Sequence, residues 1–169
     1  MFKKVVSVIV LGAAALSSPL ALGADDARSS IHIEANIPTQ QFHVQPRNPD
    51  FGKDEYMYYN PLTYKFTSIR HTFDVKNTDG SIHAYIENGA STGAIHLTNG
   101  VDIVSLSALF NGVLLDDRPK EVVDDATSTP GTQAEMRIVV ANSPTRPLSP
   151  GMYNADFTVI FDAVPRVNP

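Results

Sequence analysis

Apolar residues recur at every second position in a series of short runs along the chain. Residues 31–37 set the pattern: Ile31, Ile33, Ala35 and Ile37 alternate with His32, Glu34 and Asn36, and Pro38 ends the run. A period of two is that of a strand with one face buried. The same period places Ile69, His71, Phe73 and Val75 on one face, with Arg70, Thr72 and Asp74 on the other. Asn77–Gly80 then reads as a turn in which Gly80 is free to take positive φ. Beyond it Ile82, Ala84 and Ile86 share a face, and the two runs read as a hairpin. Residues 101–110 form a further strand ending at Asn111–Gly112, a strong hairpin signal. Ala134, Met136, Ile138 and Val140 align in another strand, and the proline-rich residues 142–151 read as a loop.

The longest clean alternation comes last. Tyr153, Ala155, Phe157, Val159 and Phe161 share one face; Asn154, Asp156, Thr158 and Asp162 share the other, with Ile160 the exception. The tail Pro165–Pro169 begins and ends in proline and is expected to make a poor strand partner. Residues 116–126, broken by Pro119, read as a loop with at most one or two helical turns.

The 12 prolines and 10 glycines are dispersed between these runs, which argues for an all-β sandwich. The first residues read as an address. Lys3 and Lys4 precede an apolar stretch over residues 5–16 and then small residues, the pattern of a secretory signal peptide spanning residues 1–23, with cleavage after Gly23 or Ala24. Without Lys3 and Lys4, 11 basic residues stand against 18 acidic ones, a net charge of −7. With no basic stripe, no nucleic acid is expected as a partner. The chain has 0 cysteines, so an exported form relies on core packing and has no thiolate chemistry.

Little in the chain points to catalysis or to a cofactor. His32, His43, His71, His83 and His96 fall one per strand or loop, without HxH or HExxH spacing. Asp116–Asp117 and Asp124–Asp125 lack the alternating ligands and central glycine of a calcium loop. No GxSxG elbow is present, and Glu34, Glu87 and Asp102 carry no glycosidase signal by themselves. Residues 89–93, GASTG, match no phosphate-binding loop and read as a hinge. The cluster Tyr56, Tyr58 and Tyr59 reads either as a surface for binding sugars or proteins or as an edge strand that packs one tyrosine inward and exposes two. No enzyme, cofactor or metal site is expected.

Three stretches together resemble a known family. SIHIEANIPTQQFHV (residues 30–44) is similar to the mature N-terminus of the major subunit of class 5 (alpha) chaperone–usher fimbriae, the colonisation-factor or coli surface antigen type. YKFTSIRHTFDVKNTDGSIHAYIENGASTGAIHL (64–97) resembles its central hairpin, and SPGMYNADFTVIFDA (149–163) its C-terminal strand. The tail PRVNP runs past the expected end of such a pilin, and residues 116–132 are more acidic than expected.

The resemblance implies an immunoglobulin-like β-sandwich that is incomplete and is completed by a donor strand from a neighbouring subunit. Residues 24–39 are then the donor extension, with Ile31, Ile33, Ala35 and Ile37 as its buried residues, and residues 40–169 the pilin domain. Tyr153, Ala155, Phe157, Val159 and Phe161 are expected to line the acceptor groove. The implied partners are a homo-polymer of identical or related pilins, a periplasmic chaperone that pairs with the last strand, an outer-membrane usher and a tip adhesin. The implied destination is a surface fimbrium reached through the periplasm. Two readings from other classes stand beside it, a secreted carbohydrate-binding β-sandwich adhesin and a secreted hydrolase. A tip adhesin would need a second, ligand-binding domain and no donor strand, and the hydrolase lacks motifs.

Overall fold

The computed structural model describes residues 41–166, all within one compact unit. In chain order the elements are β1 (Phe42–Pro46), β2 (Tyr59–Asn60), β3 (Lys65–Phe66), β4 (Ile69–Asn77), β5 (Gly80–Ile86), β6 (Ile95–Thr98), β7 (Ile103–Phe110), β8 (Val113–Leu114), β9 (Lys120–Val123), α1 (Asp125–Ser128), β10 (Thr132–Val140) and β11 (Val159–Pro165). The larger sheet runs β1-β4-β10-β7-β6, with β8 on β7; the smaller runs β11-β5-β9; β2 and β3 pair separately. Neighbouring strands within each sheet are antiparallel.

The alternation read from the sequence decides which side chains fill the space between the sheets. Phe73 and Val75 of β4, Ala134, Met136 and Ile138 of β10, and Val104, Leu106, Ala108 and Phe110 of β7 are buried from the large sheet. Ile82, Ala84 and Ile86 are buried from β5. Phe110 stands edge-on to both Phe73 (5.4 Å) and Phe161 (4.8 Å), tying the last strand into the core. At the β7–β8 hairpin, Asn111 (φ 49°) and Gly112 (φ 81°) both take the left-handed conformation that a two-residue turn demands. Tyr56 and Tyr58 are 68% and 74% exposed while Tyr59 turns inward, as the sequence suggested.

Three elements differ from the sequence reading. β4 and β5 are consecutive but do not form a hairpin: β4 pairs with β1 and β10, whereas β5 pairs with β11 and β9. A hairpin would lay both apolar sets on one sheet; crossing between sheets makes them face one another across the core. The corner is sharp. Gly80 adopts φ +151°, and a Cβ there would strike the Val164 carbonyl. Asn77, buried in the same corner, donates through Nδ2 to the Ser81 carbonyl at 2.7 Å. The fully buried Ser128 hydroxyl of α1 donates to the Gly80 carbonyl.

The second difference is β9, which lies where only a loop with a helical turn was expected; the helical turn is α1, capped by the Asp124 carboxylate accepting from the Thr127 amide at 2.8 Å. Val122 and Val123 are both buried, so this strand carries no alternation to read. Third, regular pairing of the last strand begins only at Val159 and continues through Pro165, the start of the tail judged a poor partner.

Candidate functional site: an open strand edge over an apolar cleft

The backbone of the last strand has one satisfied side and one open side. The Glu87 amide donates to the Thr158 carbonyl at 2.9 Å, and the Arg166 amide to the Asp79 carbonyl at 2.7 Å. Val159 sits opposite Ile86 in the antiparallel register. In such a ladder the direction of the N–H and C=O groups alternates residue by residue. Even-numbered residues from Thr158 to Arg166 therefore face β5, and Val159, Phe161 and Ala163 turn their N–H and C=O groups to the opposite edge. No described strand pairs with that edge, since β11 ends its sheet. The parity also accommodates Pro165, whose missing N–H falls on the open side.

Upstream of Val159 the chain stays extended but leaves the smaller sheet. Asn154 exchanges both backbone bonds with Thr98 on β6 (2.9 and 3.1 Å), an edge strand of the larger sheet. Between these anchorages Ala155, Asp156 and Phe157 make no backbone–backbone hydrogen bond among the described residues. The last strand thus bridges the two sheets with an unpaired main chain exposed along it.

The side chains beneath that edge line one cleft of about 760 Å³. Tyr153, Ala155, Phe157, Val159 and Phe161 all line it, so the structure brings together the five residues that the sequence put on one face. Ile69, Phe73, Leu106, Met136 and Ile138, from the inner face of the larger sheet, form its floor. Residues 51–57 form the facing wall. That wall is pinned by the Phe51 ring, edge-on to Phe73 at 5.1 Å and to His71 at 4.8 Å, and by Glu55 against His71 Nε2 at 3.0 Å. Although Tyr153, Ala155, Phe157 and Val159 pack against the core, none of them is fully buried. The donor residues Ile31, Ile33, Ala35 and Ile37 lie outside the described residues.

At one end of the cleft the Tyr153 phenol joins a polar cluster that lies outside the cleft lining. Asp102, only 7% exposed, accepts from Arg146 Nη2 at 2.9 Å, from the Ser149 amide at 2.7 Å and from the Tyr153 hydroxyl at 3.4 Å. Tyr153 also donates to the Ser149 carbonyl at 2.9 Å. The Ser149 hydrogen bond, ahead of the Arg146 guanidinium, outweighs burial and holds the Asp102 carboxyl down at about 2. Burial, and after it the Asp102 charge, pushes the Tyr153 phenol up; the neighbouring Tyr59 adds to the effect. This hub secures the start of the last strand. The sequence reading weighed Asp102 only as a possible glycosidase carboxylate. Its signal lay in the alternation: Asp102, just before β7, is in phase with the buried Val104, Leu106, Ala108 and Phe110, while Val101 and Ile103 point outward.

The comparisons with known proteins bear on this edge and cleft. A sequence model described as "CS1 type fimbrial major subunit" matches residues 27–162. The chain belongs to the CS1-type fimbrial major subunit family. Among solved structures, the CooA pilin subunit from enterotoxigenic Escherichia coli is similar, with a TM-score of 0.52 at 14% identity over 70% of this chain and 86% of that one. At that identity the likeness speaks for the fold. No curated protein matches in sequence. The chain is thus a structural subunit of a cell-surface fimbrium, an all-β pilin that assembles with other pilins.

For this fimbrial subunit the other residues singled out in the sequence have structural settings. His71 lies against Glu55, and His83 is 3.9 Å from Glu121. Among the described residues no group of three or more His, Asp or Glu side chains is arranged to hold a metal ion. Asp116 and Asp125 form ion pairs with Lys120 and Arg166, both at 2.7 Å. The Arg166 pair, with the Arg166 amide on Asp79, ties the beginning of the tail to α1 and to the β4–β5 corner. The facing wall went unread because Phe51 lies in a turn, where side chains show no period.

Proposed function

We propose that this subunit polymerises by donor-strand exchange, the N-terminal strand of one copy entering the cleft of the next. The observation that carries the reading is the pairing of an unsatisfied strand edge with an apolar cleft directly beneath it. An extended segment with apolar residues at period two satisfies both at once, by strand addition. Residues 24–39 are such a segment, and residues 40–169 are the acceptor body. Burying Ile31, Ile33 and Ile37 contributes roughly 1.5–3 kcal/mol each, with Ala35 adding less. Because the donor leaves its own body to serve another, assembly is head-to-tail and open-ended.

The exposed edge and cleft are an aggregation hazard before assembly. A periplasmic chaperone covering the last strand during export, and an outer-membrane usher releasing subunits into the growing fibre, answer that hazard. The subunit acts without catalysis, and a tip adhesin at the fibre end completes the list of partners.

The test is Ile33→Asp. A charge in the filled cleft has no partner and costs several kcal/mol, whereas the same residue is solvated before exchange. The variant is expected to accumulate as soluble chaperone-bound subunit while electron micrographs show no fibres. Normal fibres from cells carrying Ile33→Asp would remove residues 24–39 from the assembly reaction.

A further inference from the structure

We propose that the incoming strand lies antiparallel to the last strand with Ile31 opposite Phe161, and that its final inward residue, Thr39, is held by the Tyr59 hydroxyl at the polar end of the cleft. This rests on the strand-exchange reading above and specifies its register.

The donor alternation does not stop at Ile37. Two residues on, Thr39 keeps the same parity, so the inward face reads Ile31, Ile33, Ala35, Ile37, Thr39. The acceptor face reads, from its far end, Phe161, Val159, Phe157, Ala155, Tyr153. Directly opposed residues on one face of an antiparallel pair are neighbours, so their sizes must complement one another. With Ile31 opposite Phe161, Ala35 falls opposite Phe157 and Ile37 opposite Ala155: small meets large both times. A slip of two residues one way sets Ala35 against Ala155 and Ile33 against Phe157, a void beside a clash. A slip the other way sets Ile37 against Phe157. Both failures cost packing.

A parallel strand also brings Ala35 to Phe157, so size alone does not fix direction. The polar groups do. Tyr59 Oη is buried and makes no hydrogen bond among the described residues. The Tyr153 hydroxyl beside it is already engaged by Ser149 and Asp102. A buried hydroxyl without a partner is destabilising, so whatever fills this end should bring a hydrogen-bonding group. Antiparallel entry brings Thr39 there. Parallel entry would bring Ile31 to Tyr59 and strand the Thr39 hydroxyl beside Phe161, whose ring packs on Phe110. Pro38 is compatible as well. Its even parity turns the position of its missing N–H away from the last strand.

The chain has 0 cysteines, so engineered pairs report register without background. Ile37→Cys is combined in the full-length chain with Tyr153→Cys, Ala155→Cys, Phe157→Cys or Val159→Cys, each expressed with its chaperone and usher. Fibres are then oxidised and run on non-reducing denaturing gels. Opposed strand residues lie within disulfide reach. The Ala155→Cys combination is expected to give a ladder of linked subunits, at least about tenfold stronger than the other three. A dominant ladder from Tyr153→Cys, Phe157→Cys or Val159→Cys overturns the register but leaves strand exchange standing. Intact fibres with no ladder from any pair overturn strand exchange itself.

The hydroxyl contact has its own readout. Thr39→Val and Tyr59→Phe are each expected to speed fibre dissolution in denaturant about tenfold. The double variant should be no worse than either single one, because the two side chains act as a pair. Multiplying effects would overturn the Thr39–Tyr59 contact.

Discussion

β5 and the last strand carry the same kind of sequence and meet different fates. Both alternate apolar residues at period two, and they pair with each other in the smaller sheet from Val159 onward. β5 lies between β11 and β9 and buries Ile82, Ala84 and Ile86 almost completely. Tyr153, Ala155, Phe157 and Val159 alternate as cleanly, yet they remain only half-buried above a cleft, beside a main chain with an open edge. An apolar stripe that the chain's own body does not cover identifies a position where a strand is missing. Under the strand-exchange proposal, that position is where the polymer is made. On that proposal the closed half of the molecule answers to stability and the open half to assembly.

The largest expected effect lies on the closed side. Phe110→Ala removes a fully buried ring that Phe73 and Phe161 both contact, at a cost of about 3–5 kcal/mol. Denaturant unfolding of the chaperone-free subunit should show that loss directly, whether or not fibres form. Phe157→Ala sharpens the contrast. In the fibre it should approach the same range, about 3 kcal/mol, whereas in a subunit whose cleft is unfilled the half-exposed ring has less to lose. Comparing fibre dissolution with subunit unfolding separates the two; equal losses in both would mean that the cleft gains no occupant on assembly.

A smaller effect concerns the Asp102 hub. Its folded pKa of about 2 lies below its ordinary value of 3.8, so the hub's contribution is complete above that ordinary value and is lost as pH falls through about 2. In the wild-type subunit the anchorage of the start of the last strand should weaken progressively as pH falls from about 4 to about 2. Asp102→Asn should lower stability at neutral pH and flatten this acid-dependent part of the profile. Circular dichroism melts across pH 2–7 provide the check; a variant with the wild-type acid profile would mean that the carboxylate does not secure the strand. The smallest effect is expected from Arg166→Ala. It breaks a bidentate pair with Asp125, but both side chains are exposed and solvent screening leaves the pair little to contribute. Its melting temperature should fall only slightly, with fibre yield unchanged.

Legibility in the sequence follows the same divide between regular and irregular backbone. The buried faces of β4 and β10 and the cleft face at residues 153–161 could be read because one-sided burial imposes period two. The turn at Gly80 could be read as a reversal, but nothing in its four residues says whether the returning strand rejoins the same sheet or crosses to the other. β9 escaped because two adjacent valines are both buried, which erases the period. The ladder through Pro165 escaped because proline was judged by type, and its tolerance depends on which edge its missing N–H faces. Phe51 reaches the cleft from a turn, where no pattern marks the inward side; Met57 and Tyr59 alternate with the exposed Tyr56 and Tyr58, but so short a run does not say which face is inward.

Hydrogen exchange along the last strand tests the central claim most directly. Odd-numbered amides of Ala155, Phe157, Val159 and Phe161 face the edge a donor would pair, whereas the even-numbered amides of Ile160, Asp162 and Val164 already face β5. Wild-type fibres are compared with the soluble Ile33→Asp subunit, released from its chaperone, at single-residue resolution. The odd amides should exchange rapidly in the variant and become strongly protected in the fibre, while the even ones change little. Odd amides that exchange alike in both states would mean that no strand is added at this edge, and assembly would then proceed through another surface.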